Sequence, residues 1–563
     1  MMNKVIKNIV YQKIYSRYKE IFDIDIDDVI ELGVKKFIAL LKDITINESK
    51  YKIKYFRLEN VEFDDYFSIN KGKILISLNN LKYIEEKLKT IKILDLLKID
   101  YKIIFKLELS DRFLKSELFR ALHDKSNISI YIKSRYSKSD LLYINKNMLV
   151  FTNKEIYIGL DYVNNQDEVN SEIIFKTIEI IKKSGGFINN DLIRLESAFK
   201  KLFILGPKEL HLDLYEYCNA SCNFCVTNGP GFMTERFENH ENNYKIQYKG
   251  IDLVNMFRKI QKSQTESLAL GITGEPLLHP EIKYILEELK YIDIKVGFLT
   301  NGYRLLENLD SILDNKNINH FYINISSGNL DSFKNTRPDD SFNNFLNVWK
   351  SIKIIREKRP DIIVRALYVI TPLNINGLNS FIDLCIKNNV SEIEYKRVVP
   401  YNFSNEDFLF SDENMREIIY IVESNKQKIK TINHNSDYII NEFNEIINGT
   451  TVQYPEDDDV DKSKLVGKTM NCYNPYFYIS IFRTSSYTCG KFEAKLGSLT
   501  NLDLYKNIFE DKNIKNIIKT SENIKDYLGE SRWKEKCSRC HHLDVINLVK
   551  EYIKIKNISL KLK

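Results

Sequence analysis

Three cysteines, Cys218, Cys222 and Cys225, stand within eight residues of one another. Three thiolates at this spacing can hold three corners of a cubane iron–sulfur cluster and leave the fourth iron without a protein ligand. An iron with an open position can bind a substrate or cofactor, so such a cluster would perform chemistry. The alternative is a structural zinc ion with a distant fourth ligand, although zinc more often takes paired C-x2-C motifs.

The elements that position these cysteines are predicted between about residues 207 and 400, where strand and helix patterns alternate. Six strands are predicted at 209–214, 267–272, 294–300, 319–326, 362–370 and 392–398, with helices at 250–263, 281–290, 303–314, 341–357 and 376–388. This order predicts an α/β fold with a parallel sheet that is closed or partly closed into a barrel. The cysteines follow the first strand, at the carboxyl edge where βα barrels build active sites.

The motif C-x3-C-x-aromatic-C after the first strand of such a pattern resembles the radical S-adenosylmethionine (SAM) superfamily. The segment from Gly271 to Pro276, GITGEP, resembles the G-G-E-P motif of that family, with Thr273 in place of the first glycine. The resemblance implies that the three cysteines hold a SAM-binding 4Fe–4S cluster. It also implies that Phe224 contacts the adenine, and that Gly274 and Glu275 bind the methionine amino group of SAM. Pro276, the last residue of the motif, belongs to the same SAM-binding set.

Further polar residues lie after the third strand, at the end of the fourth and within the fifth, where the family contacts the ribose and the methionine carboxylate. The resemblance therefore adds four candidates to the SAM-binding set: Asn301, Asn324, Ser326 and Arg365. Each of these is also compatible with an ordinary polar position at a strand end or in a barrel interior. The sequence assigns no further catalytic residue.

A second group of cysteines lies near the carboxyl end of the chain: Cys472, Cys489, Cys537 and Cys540. Four cysteines can ligate a 4Fe–4S cluster completely. The arrangement resembles a Twitch domain, the shorter relative of the SPASM domain, and this resemblance implies an auxiliary 4Fe–4S cluster. A structural zinc ion is the alternative, because Cys537-x2-Cys540 also suits zinc.

These patterns divide the chain into four predicted segments. Residues 1–205 would form an α+β accessory domain that recruits the substrate, and residues 206–404 a partial (β/α)6 barrel. Residues 405–470 would connect this barrel to an auxiliary iron–sulfur domain at 471–563. The first segment contains no cysteine, so we expect it to select substrate rather than perform chemistry.

The composition limits the classes of partner. The chain has 83 basic and 77 acidic side chains, and a net charge of +6 over 563 residues is too dilute to suggest nucleic-acid binding. No run of 18 apolar residues is present, so stable membrane insertion is not expected. We expect a cytoplasmic protein.

The resemblance implies an enzyme, an oxidoreductase or maturase, that reductively cleaves SAM to a 5′-deoxyadenosyl radical. This radical would abstract a hydrogen atom from the substrate, and a flavodoxin- or ferredoxin-type protein would donate the electron. The substrate is a ribosomally made peptide in one hypothesis. In a second, a small polar molecule such as a sugar or aminocyclitol is dehydrogenated or epimerised. A third hypothesis, a non-catalytic electron carrier, is disfavoured because a carrier has no use for the SAM-binding motif around Glu275.

Overall fold

The computed structural model describes two compact units. One comprises residues 1–204 together with 547–563, and the other comprises residues 205–546. The residues whose structure is described are 74–78, 101–108, 128–133, 136–146, 151–160, 166, 170–215, 217–225, 248–271, 273–398, 406–449, 472–482, 485–487, 495–498, 511–522, 549–550 and 553.

The first unit contains a parallel five-stranded sheet whose spatial order follows the chain. Its elements are β1 (Ile74–Leu78), β2 (Tyr101–Glu108), β3 (Ile128–Lys133), α1 (Lys138–Lys146), β4 (Glu155–Gly159), α2 (Ser171–Lys183), β5 (Phe187–Ile188) and α3 (Asn190–Lys200). A cluster of buried apolar side chains, which includes Ile132, Phe151 and Ile181, packs these elements together. Helices alternate with strands from β3 onward.

The second unit contains a ten-stranded sheet. Its elements are β6 (Glu209–Leu212), α4 (Gly250–Lys262), β7 (Ser267–Leu270), α5 (Ile282–Leu289), β8 (Lys295–Thr300), α6 (Leu309–Leu313), β9 (Ile318–Asn324), α7 (Leu330–Thr336), α8 (Phe342–Lys358), β10 (Ile363–Ile370), α9 (Leu378–Lys387), β11 (Glu392–Arg397), α10 (Asp412–Asn425), β12 (Asn433–His434), α11 (Ser436–Ile447), β13 (Tyr478–Phe482), β14 (Ser485–Tyr487), β15 (Lys495–Ser498) and α12 (Asp511–Glu522). All six strands predicted from the sequence are present, and they form the parallel series β6 to β11.

Two further strands extend the parallel series to eight. The short strand β12 pairs with β11, and β13 pairs with β6. Strands β14 and β15 then continue the sheet beyond β13 in antiparallel pairing. The predicted mixed α/β fold with a parallel, barrel-like sheet is therefore confirmed, with its first strand in the interior of the sheet.

Strand β10 shows why this sheet is covered by helices on one face. Four alternate residues of β10 are fully buried: Val364, Ala366, Tyr368 and Ile370. Because successive side chains point to opposite faces, the residues between them line the other face, where Arg365 is only partly buried. One face thus packs apolar side chains, and the other remains accessible to polar groups.

Helix α7 is fixed at its amino end by a reciprocal cap. Asn329 accepts a hydrogen bond from the backbone N–H of Ser332 (2.9 Å), and the Ser332 hydroxyl accepts one from the backbone N–H of Asn329 (3.2 Å). The helix has only seven residues and ends at Thr336. Its cap therefore determines where the residues that follow it, from Arg337 onward, enter the carboxyl edge of the sheet.

Two glycines allow the chain entering α7 to approach the start of α9. A Cβ atom added to Gly328 would lie 1.9 Å from the carbonyl oxygen of Gly377 and 2.4 Å from the backbone nitrogen of Phe381. Neither backbone atom can move aside without shifting the chain, so this contact requires glycine.

The carboxyl-terminal cysteines fall mostly outside the described residues. Cys472 is described and is partly buried, whereas Cys489, Cys537 and Cys540 lie outside them. No described helix is both long and apolar enough to cross a membrane.

We predict that Gly328→Ala destabilises the protein by about 1–3 kcal/mol, the usual cost of overpacking a close-packed site. The matched control is Gly297→Ala, whose added Cβ would meet its nearest neighbour at an ordinary 3.4 Å. Chemical denaturation of both variants measures the effect. Equal stability of the two variants would show that the close approach of Gly328 to Gly377 is not rigid.

Candidate metal and cofactor site

The site begins with the loop that follows β6 and carries Cys218, Cys222 and Cys225. At the end of β6, buried Asp213 accepts hydrogen bonds from the backbone N–H (2.9 Å) and the hydroxyl (2.6 Å) of Thr273. These bonds tie the β6 end to the loop after β7. Thr273 replaces a glycine of the family motif, and its hydroxyl provides one of the two bonds.

The cysteine loop is anchored on the end of α7 and the segment that follows it. The backbone N–H of Ser221 donates to Asp340 (3.0 Å), and the backbone N–H of Asn223 donates to the Thr336 carbonyl (3.0 Å). The Asn223 side chain donates to the carbonyl of Asn335 (2.8 Å). The conformation of the cysteine loop therefore depends on a segment more than 100 residues away in the chain.

Arg337 connects this loop to the end of β9. Its guanidinium is 1% exposed, and its Nε donates to the sulfur of Cys222 (3.1 Å). Its two terminal nitrogens donate to the carbonyl oxygens of Ile325 and Asn324. Burial alone would lower the pKa of Arg337, but the proximity of Cys222 and the other acidic neighbours holds it above its ordinary value.

The cysteine thiols are partly withdrawn from water. Burial raises the pKa of Cys218 to about 11, and burial also raises the pKa of Cys222. The side-chain amide of Asn301 donates to the Cys218 sulfur across 3.5 Å. Metal binding would displace the thiol protons, because the thiolate is the metal ligand.

The donor set around these sulfurs fits a thiolate-bound metal cluster. A buried guanidinium and an amide both direct N–H groups at cysteine sulfurs, which suits a sulfur that carries negative charge. Within the described parts of the chain, no three His, Cys, Asp or Glu side chains converge closely enough to share a single metal ion. In a cubane each thiolate binds a different iron, so its ligands need not converge on one point.

Glu275 is buried and fully engaged with the protein. Its carboxylate accepts hydrogen bonds from the Thr300 hydroxyl (2.7 Å), the backbone N–H of Asn301 (2.7 Å) and the backbone N–H of Leu277 (3.1 Å). Burial raises the pKa of Glu275 to about 7, although these three bonds oppose the shift. The carboxylate therefore joins the loops after β7 and β8. Its predicted contact with the SAM amino group remains a prediction.

The loop from Gly274 to Glu275 also contacts the cysteine loop directly. The backbone N–H of Glu275 donates to the carbonyl of Tyr217, the residue before Cys218 (2.8 Å). Gly274 is partly exposed, whereas Pro276 is buried and opens a single helical turn, Pro276–Leu278. The predicted motif and the three cysteines therefore lie side by side at one edge of the sheet.

Three more predicted SAM contacts lie at the same edge. Phe224 is 6% exposed, and its ring centroid lies 5.8 Å from the guanidinium carbon of Arg337. Asn324 ends β9 and accepts hydrogen bonds from Arg337 (3.2 Å) and from the Ser326 hydroxyl. Ser326 is fully buried, with a left-handed backbone (φ 50°), and its hydroxyl also accepts from the Val369 N–H (2.9 Å).

Arg365 lies nearer the amino end of the sheet, in register with the first residue of β11. It forms ion pairs with Glu392 and Glu394, and its guanidinium carbon lies 4.4 Å from the centroid of the Tyr322 ring. The structure thus brings six predicted SAM contacts to the cysteine edge, Phe224, Gly274, Glu275, Pro276, Asn301 and Asn324, with Ser326 directly beneath them. Arg365 lies apart from them, and its guanidinium is paired with two carboxylates.

Sequence reasoning missed the residues that organise the cysteine loop. Asp340 accepts from Ser221 and from the Tyr303 hydroxyl (2.6 Å), and Arg337 contacts Cys222. A signal was present, because Arg337-Pro-Asp-Asp340 is a charged run that follows a strand and a short helix. Nothing in the local pattern indicated which loop these charges would meet.

The class of protein follows from this arrangement together with the sequence family. Residues 212–385 match the model of the Radical SAM superfamily, and they span β6 to α9 with the cysteine loop and Glu275. The match is therefore to the segment that carries the candidate site, and it covers less than half of the chain. The superfamily implies a 4Fe–4S cluster and SAM as cofactors.

Among individual proteins, the chain is similar to the human S-adenosyl-L-methionine-dependent tRNA 4-demethylwyosine synthase TYW1, at 27% identity over 199 residues. That match covers 32% of this chain and 26% of the relative, so the chain spans about a quarter of that relative's length. It is also similar to a probable GTP 3′,8-cyclase of Sulfolobus acidocaldarius, at 26% identity over 36% of this chain and 59% of the relative.

Two solved structures are similar over a larger share of the chain. SuiB of Streptococcus suis bound to the precursor peptide SuiA gives a TM-score of 0.39 at 16% identity, with 61% of this chain and 72% of that chain covered. The structure of anSMEcpe with bound AdoMet and the Cp18Cys peptide gives 0.37 at 13% identity, with 63% and 100% covered.

We predict that Glu275 makes the stability of the metal-free protein depend on pH. Its pKa is raised to about 7 in the folded state, so its stabilising contribution is complete below its unfolded pKa of about 4.5 and is lost as pH rises through 7. Between pH 5 and pH 8 the wild type should lose on the order of 2 kcal/mol more stability than Glu275→Gln, which cannot ionise. Urea denaturation at the two pH values measures this difference.

The matched control is Glu307→Gln, because the Glu307 side chain is 58% exposed and pairs only with Arg304 on the surface. Its pH dependence should follow that of the wild type. Parallel curves for wild type and Glu275→Gln would show that the Glu275 carboxyl is not buried in solution as it is here.

Proposed function

We propose that this chain is a radical SAM oxidoreductase or maturase in which Cys218, Cys222 and Cys225 bind a 4Fe–4S cluster. The observation that carries the proposal is the placement of three cysteines at the carboxyl edge of a parallel sheet, with N–H donors directed at two of their sulfurs. When bound, the cluster supplies the electron that cleaves SAM. The protein's part is to hold the cluster, orient SAM and exclude water.

The residues at the cysteine edge have separate roles in this proposal. Gly274 and Glu275, in the loop after β7, contact the ammonium group of SAM. Phe224 provides an apolar surface for the adenine. Asn301, which donates to Cys218, and Asn324, at the end of β9, are uncharged polar groups that suit the ribose and the methionine carboxylate. Ser326 supports Asn324 through its hydroxyl. Arg365 has the weakest support as a SAM ligand, because Glu392 and Glu394 already bind its guanidinium.

We further propose an auxiliary 4Fe–4S cluster on Cys472, Cys489, Cys537 and Cys540, in a Twitch-like domain. Its support is the cysteine count together with the sheet topology. Strand β13 begins six residues after Cys472 and pairs with β6, which ends six residues before Cys218. Cys218 and Cys472 therefore each lie six residues from one of two neighbouring strands of the same sheet.

For the substrate, we propose a ribosomally made peptide that the amino-terminal unit recruits. In this proposal a peptide strand adds beside β1, which pairs with β2 alone among the described strands of that unit, through main-chain hydrogen bonds. A flavodoxin- or ferredoxin-type protein would supply the electron. Crosslinking of the full chain to candidate precursor peptides, compared with crosslinking to a tRNA and to a sugar nucleotide, tests this choice. Crosslinking to the tRNA or to the sugar nucleotide, but to none of the peptides, would refute the peptide assignment.

We predict that anaerobic reconstitution loads about eight iron atoms per chain, as two 4Fe–4S clusters require. Replacing Cys218, Cys222 and Cys225 with alanine should halve the iron content and abolish the formation of 5′-deoxyadenosine from SAM under reducing conditions. Replacing Cys537 and Cys540 should also halve the iron content but preserve slow SAM cleavage. Iron analysis and chromatography of the products measure both effects.

The matched control is Cys385→Ala, because Cys385 is fully buried in α9 and packs as a small apolar side chain. Its iron content should equal that of the wild type. Near-complete iron in the triple variant would contradict the assignment of the first cluster, and about four iron atoms in the wild type would contradict the second.

A further inference from the structure

Arg337 stands out in the described part of the chain as a fully buried cation in contact with a proposed metal ligand. We propose that Arg337 is a positioning residue that raises the reduction potential of the cluster through its hydrogen bond to Cys222. This inference rests on the proposed function, because it requires a cluster on the three cysteines. It goes further in assigning one side chain a specific electronic effect on that cluster.

The geometry fixes the guanidinium in one orientation. Nε faces the Cys222 sulfur at 3.1 Å, and the two terminal nitrogens face the carbonyl oxygens at the end of β9. Arg337 cannot rotate away from the sulfur without breaking the bonds to β9. The hydrogen bond to Cys222 is therefore built into the fold.

The distribution of charge around Arg337 points to a thiolate partner. A buried cation needs a nearby anion to offset the loss of its hydration. Asp340 is close, but the bonds of its carboxylate go to the Ser221 N–H and the Tyr303 hydroxyl. Among the described acceptors that Arg337 contacts, only the Cys222 sulfur can carry a full negative charge. A cluster-bound thiolate at Cys222 would supply that charge.

The expected electronic effect follows from electrostatics. Reduction adds one negative charge to the cluster, and a fixed cation that donates to a ligating sulfur stabilises the reduced form more than the oxidised form. Hydrogen bonds to the sulfurs are among the factors that set iron–sulfur potentials. Cys218 receives a longer bond from the amide of Asn301 and a backbone hydrogen bond from Ala220. Both donors are uncharged, so the cationic Arg337 provides the stronger effect.

The test is a redox titration of the reconstituted full-length protein, followed by the electron paramagnetic resonance signal of the reduced cluster. The signal of interest is the one that Cys218→Ala removes. In Arg337→Gln the ratio of reduced to oxidised cluster at the wild-type midpoint should fall about tenfold, which is a shift of about 59 mV to more negative potential for one electron. Arg337→Lys keeps the charge, so it should restore part of this shift.

The matched control is Arg359→Gln. Arg359 also donates to backbone carbonyls, those of Leu313 at the end of α6 and Asn315 just after it, but it is paired with Asp361 and has no described bond to a cysteine. Its loss should lower stability without moving the potential. If Arg337→Gln retains too little iron to titrate, Arg337→Lys is the deciding variant. The shorter lysine side chain cannot keep all three hydrogen bonds, so the cluster potential in this variant should still lie below that of the wild type.

An unchanged midpoint in an iron-loaded Arg337→Gln, or in Arg337→Lys where the first variant cannot be titrated, would overturn the inference. A shift of equal size in Arg359→Gln would also overturn it, because general loosening of the fold would then be the cause. Failure of the wild type to assemble a cluster on Cys218, Cys222 and Cys225 would instead refute the proposed function.

Discussion

The site depends on the burial of Arg337 between the cysteine loop and the end of β9. A guanidinium that is 1% exposed is stable only if each of its N–H groups has an acceptor and its charge has a counterpart. The acceptors in the described structure are two carbonyl oxygens at the β9 end, the Asn324 side chain and the Cys222 sulfur. In our proposal a cluster-bound thiolate at Cys222 supplies the counter-charge. Because Cys222 is one of these acceptors, the cysteine loop lies against the sheet edge. There Asp340 and Thr336 accept hydrogen bonds from its backbone.

The parallel sheet makes this convergence possible. Because all strands from β6 to β11 run in one direction, the loops at their carboxyl ends meet at one edge, however far apart they are in the chain. Glu275 reinforces this edge from the other side of the cysteine loop. Its carboxylate binds the loop after β8, and its backbone N–H binds the residue before Cys218. The cysteine loop is thus held between the β7 and β8 ends on one side and the segment after α7 on the other.

The sequence predicted the parts of this arrangement that depend on local patterns. The six barrel strands, the cysteine spacing and the GITGEP segment each have a short-range signature, and the fold that they imply is confirmed. Strands β12 and β13 escaped prediction because β12 has two residues and β13 pairs with a strand more than 260 residues earlier in the chain. The partners of Arg337 also escaped it, because a contact across 115 residues is set by the fold and not by spacing. For Arg365, the sequence identified its position on the fifth barrel strand. It did not reveal the two glutamates on the next strand that pair with its guanidinium.

The central claim is that Cys218, Cys222 and Cys225 hold a cluster with one iron open to SAM. Electron–nuclear double resonance of the reduced protein, with SAM labelled by nitrogen-15 at its amino group and oxygen-17 at its carboxylate, tests this claim most directly. The account predicts hyperfine coupling from both labelled nuclei to the cluster that the three cysteines bind. A cluster whose signal is the same with and without labelled SAM would contradict it.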